Sequence, residues 1–186
     1  MIICFISRIT REKNLDYALN IINNVSVRTI FNIYGTNHED SRYWHKCEAL
    51  IKQINNKNYH QINYLGNVSP EKVNDILKQH DLFFFPTVGE NFAHVIFESL
   101  AAGTPVLISD RTPWLNLKEK GIGWDISLDT PDCFIKVIEN VFHIPNNEYL
   151  NIRKNALKFA YNYANDNKTI NDSRQMFLNN YIELKK

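Results

Sequence analysis

Apolar residues along the chain follow two alternating rhythms. Short unbroken runs rich in β-branched and aromatic residues alternate with stretches in which apolar residues recur every three or four positions. Ile2 to Ile6 is the first run and predicts a strand covered on both faces. Leu15, Ala18, Leu19 and Ile22 then recur at helical spacing, with Asn14 as the expected cap and Asn23-Asn24 as the end. Val27 to Tyr34 predicts a second strand stopped by Gly35. Trp44, Cys47, Leu50, Ile51 and Ile54 mark a helix, and Ile62 to Leu65 a short strand before Gly66. Ser69-Pro70-Glu71 places a cap residue and a first-turn proline ahead of Val73, Ile76 and Leu77.

The second half repeats the alternation. Leu82 to Phe85 predicts a strand ended by Pro86, Phe92 to Ala102 a helix closed by Gly103, and Val106 to Ile108 a strand. A short helix is expected over Pro113 to Lys120, a turn at Gly121 to Gly123 and a strand from Trp124 to Leu128. Pro131 to Phe142 reads as a helix, followed by helical segments over 148–163 and 168–184. The expected fold is α/β: a Rossmann-like, doubly wound parallel sheet of about six strands, helices on both faces, and C-terminal helices. Residues 1–145 are assigned to the Rossmann-like domain and 146–186 to a helical segment packing on it, in one domain overall.

Bulk properties narrow the partners. Hydrophobic residues make up 44% of the 186 positions, enough for a sizeable core, and the net charge is +1. Such a balance gives no broad field for nucleic acid or an anionic membrane, though a local anion site is compatible with it. Cys4, Cys47 and Cys133 form no Cys-x-x-Cys pair and fit a reducing cytoplasm, with Cys4 a buried small hydrophobe. No apolar run approaches the ~20 residues of a membrane span, and peripheral association through a partner stays open. A core strand at the first residue, with no lead-in, suggests that the chain is part of a longer protein.

In parallel sheets ligands bind beyond the carboxyl ends of the strands. That selects Ser7 to Lys13, Gly35-Thr36, Gly66 to Ser69, Pro86 to His94 and Ser109 to Pro113. Pro86 to His94 joins a strand to a helix, and free N–H groups at a helix start attract a phosphate. Glu90 stands just ahead of that start and Glu98 about two turns further on, near the same helix face. Two carboxylates beside a phosphate site suit the paired hydroxyls of a sugar and a ribose. They equally suit a first-turn acid that stabilises its helix and a solvated surface residue. Arg8 and Lys13, in the first strand-to-helix loop, can supply a guanidinium fork and a mobile ammonium to phosphates, or can be ordinary loop charges. His94 is open between phosphate or sugar contact and a capping or packing role. Trp44, Trp114 and Trp124 read as packing residues rather than a sugar platform. The remaining histidines lack metal-ligand spacing.

Five segments in order resemble one family. Ser7 to Asn14 looks like the G-R-x-x-x-x-K-x loop that opens the C-terminal domain of GT-B glycosyltransferases of the family 4, or group 1, type. Gly89 to Glu98 looks like their E-x7-E element, and Ala101 to Val106 like their A-x-G-x-P-V turn. Ile33-Tyr34-Gly35 and Tyr64 to Val68 stand at their G-x-G strand end and F-x-G loop. The resemblance implies a donor site for a UDP- or GDP-sugar. Arg8 and Lys13 hold the diphosphate, Glu90 the sugar hydroxyls, and the backbone of Asn91, Phe92 and Ala93 the sugar and phosphates. Glu98 takes the ribose, and Gly66, Asn67 and Val68 border the base. It further implies a retaining reaction with no metal and no cofactor beyond the donor, and an acceptor domain that this chain lacks. Ser7 and Ala93 replace glycines of the family pattern, and a methyl group at Ala93 narrows the donor site. A non-catalytic split module that needs a partner subunit is the alternative. An epimerase or phosphorylase half on the same architecture is a weaker one.

Overall fold

The central strands form because most of their residues are apolar on both sides, so only a sheet sandwiched between helix layers removes them from water. The computed structural model describes residues 1–166. Its six strands are β1 Ile2–Ile6, β2 Ile30–Tyr34, β3 Gln61–Tyr64, β4 Leu82–Phe85, β5 Val106–Ser109 and β6 Gly123–Ile126. All neighbours pair parallel, in the order β3-β2-β1-β4-β5-β6. The six α-helices are α1 Leu15–Asn24, α2 Ser41–Asn56, α3 Pro70–Lys78, α4 His94–Ala101, α5 Pro131–His143 and α6 Asn146–Asn165. α1 packs on α2 and α5, and α4 packs on α3 and α6, which makes two separate helix layers.

The core follows the apolar runs. Every residue of β4 and β5 is buried, and Phe84 meets Phe31 of β2 and Phe134 of α5. β2 departs from the all-apolar pattern at Asn32. Its amide donates to His80 Nε2 at 2.9 Å and its oxygen accepts from Asn63 at 2.9 Å, so a polar ladder is satisfied inside the sheet layer.

Four expectations need correction. Pro113 to Lys120 is a chain of bends and turns, not a helix. The Asp125 carboxylate accepts the N–H of Asn116 and Leu117 at 3.0 and 2.8 Å, and Asn116 takes a left-handed φ of 59°. Those bonds hold the backbone out of the helical ladder. β6 begins at Gly123 rather than Trp124, because a Cβ there would lie 2.3 Å from the Val106 carbonyl oxygen and only glycine lets the strands approach. α4 begins at His94, not Phe92, because Ala93 is left-handed at φ 57°. Asn14 precedes α1 but does not cap it: its φ is 61°, and its amide donates instead to the Pro86 carbonyl at 3.0 Å. The segment expected over 148–163 is observed as α6; the one at 168–184 lies outside the described residues.

Two backbone positions yield opposite expectations. At Gly35, φ is 147° and a Cβ would sit 1.7 Å from the Ser7 carbonyl oxygen. Gly35→Ala should therefore lose about 2–4 kcal/mol in urea unfolding. Ala93 is the converse. The other non-glycine residues with positive φ are all asparagines, which tolerate that region, whereas alanine does not. Ala93→Gly should gain about 0.5–1 kcal/mol in the same measurement; a loss would show that the methyl group packs favourably.

His60 and His80 generate a pH dependence. Burial lowers both imidazoles below their ordinary value, outweighing backbone hydrogen bonds to Val25 and Ile76 that act in the opposite direction. The folded protein thus resists a proton that the unfolded chain accepts near pH ~6.5. Stability should be full above that value and fall as the pH drops below it toward the lowered folded values. Thermal melts between pH 7.5 and 5.5, at constant ionic strength, should show a falling midpoint; a flat profile overturns the assignment.

Candidate functional site

The strand order reverses direction between β1 and β4, where α1 and α4 leave toward opposite helix layers. Such a reversal opens a crevice at the carboxyl edge of the sheet. The loops on either side are stitched together. The Glu12 carbonyl accepts from Val88 N at 2.8 Å and from Thr87 Oγ1 at 3.0 Å, and Asn14 reaches the Pro86 carbonyl. On the far side, Ser109 Oγ donates to the Thr87 carbonyl at 2.5 Å and Glu90 N to the Arg111 carbonyl at 3.2 Å. The loops after β1, β4 and β5 are therefore one hydrogen-bonded unit.

Lys13 ends a 3-10 turn over Arg11–Lys13, and its ammonium makes an ion pair with Glu90 across the crevice. The side chains are 11% and 15% exposed, so this pair is shielded from solvent more than the other ion pairs among the described residues. Glu12, Lys13, Val88, Gly89, Glu90 and Asn91 line an open cleft of about 440 Å³. Among the described residues no acceptor takes the N–H groups of Asn91, Phe92, Ala93, His94 or Val95. Those donors lead out of the cleft into the start of α4, which carries no side-chain cap. Consecutive free N–H groups at a helix start, with an ammonium beside them, form an anion-binding arrangement.

Arg8 lies in the adjoining cleft, about 380 Å³, with Thr10, Arg11, Glu39 and Asp40; Glu12 lines both. Arg8 pairs with Glu39 at 2.9 Å and Arg11 with Asp40 at 2.9 Å, bridging the loops after β1 and β2. The Asp40 carboxyl lies below its ordinary range, first because it accepts the Tyr43 N–H at the start of α2. Thr10 Oγ1 is buried with no hydrogen-bond partner among the described residues.

The remaining predicted residues occupy the same edge of the sheet without lining these clefts. Gly66 has φ 75°, and its carbonyl accepts Gly35 N at 2.8 Å, which ties the loop after β3 to the turn after β2. Asn67 is exposed and Val68 packs partly on the core. Glu98 is exposed on α4, and its carboxylate has no hydrogen bond or ion pair among the described residues. His94 is exposed, and its ring lies 4.8 Å from that of Phe92.

The Phe92 ring belongs to packing. With Phe97, Trp114, Phe159 and Tyr163 it forms an aromatic cluster between α4 and α6, and the Phe92 carbonyl accepts the Trp114 indole N–H. Trp114 is 6% exposed, as a packing residue should be. Sequence reasoning assigned no individual site role to Glu12, Asn14, Thr87, Ser109, Glu39 or Asp40. The first four act through backbone carbonyls or short polar side chains, for which the sequence carries no distinguishing signal. Adjacent acids at Glu39-Asp40 opposite Arg8 and Arg11 were a visible one.

Residues 1–159 match the family Glycosyl transferases group 1. An uncharacterized glycosyltransferase of Methanocaldococcus jannaschii is 29% identical over 107 residues, 58% of this chain and 26% of that protein. HepE of Anabaena, solved in complex with UDP and glucose, superposes with a TM-score of 0.75 at 19% identity, over 96% of this chain and 48% of its own. Sucrose-phosphate synthase of Thermosynechococcus elongatus gives 0.77 at 16% identity, over 98% of this chain and 46% of its own. The chain thus spans about half the length of these solved structures and about a quarter of the archaeal relative. With the family match extending over β1 to α6, the chain belongs to the glycosyl transferases group 1 and carries a GT-B-type α/β domain.

Proposed function

We propose that the chain binds a nucleoside-diphosphate sugar, a UDP- or GDP-sugar, in the crevice between β1 and β4. It would do so for glycosyl transfer to a glycan or lipid-linked acceptor, as in polysaccharide biosynthesis. The observation that carries this reading is the row of free N–H groups from Asn91 to Val95 beside the Lys13 ammonium. A diphosphate is the ligand that such a row and such a charge would satisfy together. The complex of HepE with UDP and glucose supports it by analogy of fold.

In this reading Lys13 and Arg8 neutralise the diphosphate, and the backbone of Asn91, Phe92 and Ala93, with His94, closes on the phosphates and sugar. Glu90 is the catalytic-site acid that accepts from sugar hydroxyls. Glu98, whose carboxylate has no partner among the described residues, takes the ribose, and Gly66, Asn67 and Val68 border the base. The phosphate charge is met by side-chain cations and a helix start, so transfer is proposed to be metal-independent; retention of configuration follows the family resemblance. The acceptor comes from a second domain or partner subunit, which supplies the other wall of the site. The free cysteines Cys4, Cys47 and Cys133 support a cytoplasmic setting.

A second reading is a split module that binds donor but does not turn it over alone. Transfer of radiolabelled sugar by the isolated chain would exclude it.

Calorimetry with UDP, GDP and their sugars should show binding at millimolar concentration or below. Arg8→Ala and Glu98→Ala should each weaken it by about 10- to 100-fold, the loss expected for a charge-assisted hydrogen bond. Absence of binding to every nucleotide and nucleotide sugar at millimolar concentration overturns the reading. Unchanged affinity in both variants overturns the residue roles alone.

A further inference from the structure

We infer that the Lys13–Glu90 ion pair is a latch: Glu90 occupies the cation that the donor's diphosphate needs, and donor binding exchanges Lys13 from carboxylate to phosphate. The inference rests on the donor-site reading and adds to it a coupling between phosphate and sugar recognition.

Lys13 and Glu90 lie 77 positions apart and meet only because the Glu12 carbonyl, Asn14 and Thr87 hold their loops together. Lys13 is 9% exposed, and Glu90 is its only acidic partner among the described residues. An anion entering the cleft that Lys13, Glu90 and Asn91 line therefore meets a cation already neutralised and a carboxylate that repels it. Both terms weaken nucleotide binding until Glu90 moves. Asn91, the first residue of the free N–H row, lines that cleft beside Glu90, so a phosphate that enters it meets Glu90 before the rest of the row.

The second consequence concerns the displaced carboxylate. A poorly exposed charge that loses its partner carries a desolvation cost unless a new one is supplied. An intact nucleotide sugar supplies hydroxyl donors; a nucleotide diphosphate without a sugar supplies none. The latch accordingly favours the donor over the nucleotide that remains after transfer, and its reclosure on Lys13 helps to expel that product. Arg8 and Glu39 repeat the pattern at the neighbouring cleft, but with 60% and 38% exposure water screens them.

The test is calorimetry of the full chain with UDP and with GDP, each alone, so that no sugar hydroxyl touches position 90. Glu90→Gln keeps the shape and removes the charge, and it should bind the nucleotide that the wild type accepts roughly five- to tenfold more tightly. Equal or weaker binding overturns the latch, because a side chain serving only sugar hydroxyls leaves the nucleotide unaffected and one that orients Lys13 weakens it. If neither protein binds either nucleotide but both bind a UDP- or GDP-sugar, the latch alone is overturned; if none of these ligands binds, the donor-site reading fails and the latch with it. A crystal of the wild type soaked with the bound nucleotide gives a check without any variant. Lys13 Nζ should lie on a phosphate oxygen; a persisting Lys13–Glu90 pair beside bound nucleotide overturns the inference.

Discussion

The Glu12 carbonyl oxygen fixes the geometry on which the site depends. It stands at the end of the loop after β1 and takes two hydrogen bonds from the loop after β4, through Val88 N and Thr87 Oγ1. A parallel sheet that reverses its winding order leaves a gap at this point, since α1 and α4 go to opposite layers. Unbridged, the two loops would move independently. Bridged, they bring a lysine from one and a glutamate from the other into contact across 77 residues of chain. The same bonds satisfy backbone groups that the crevice would otherwise strand away from water.

Much of the fold was legible because the physics that builds it is local. Leu82 to Phe85 contains no polar residue, and a four-residue run of that kind fits a strand covered on both faces. Gly103 was expected to close the fourth helix and does so at φ 72°. The failures share a cause: a distant group decided the local conformation. Asp125 captures the amides of Asn116 and Leu117 and dissolves a helix that composition favours. Asn14 has the right identity for a cap, yet Pro86, 72 residues later, takes its amide. β6 is displaced by one residue because Gly123 admits the Val106 carbonyl, a fact about two strands rather than one.

The site divides along the same line. Arg8, Lys13, Glu90 and Glu98 could be named individually, because charge at the carboxyl ends of parallel strands is visible in the chain. Their relations could not. Two of the four groups neutralise each other, Arg8 turns to Glu39, and Glu98 lies exposed on α4. These relations depend on loop crossings that no spacing along the chain encodes. The shift of α4 to His94 matters here as well. It takes Phe92 and Ala93 out of the expected first helical turn and into the loop before it, which lengthens the row of free N–H groups beyond what a helix end alone provides.

That row is held from behind by packing. Trp114 donates its indole N–H to the Phe92 carbonyl, and its ring is buried among Phe92, Phe97 and residues of α6. One hydrogen bond thus ties the anion-facing segment to an aromatic core, and Tyr163 and Phe159 make α6 part of that core. Aromatic pairs of this kind contribute about 0.5–1.5 kcal/mol each beyond their area, so the cluster can offset a residue held in a strained backbone region. Ala93 is such a residue, set between Phe92 and the first turn of α4. The left-handed turn that frees its neighbours' N–H groups is therefore backed by α6, an element that lines neither cleft, and the packing of α6 on α4 becomes a condition for the shape of the site.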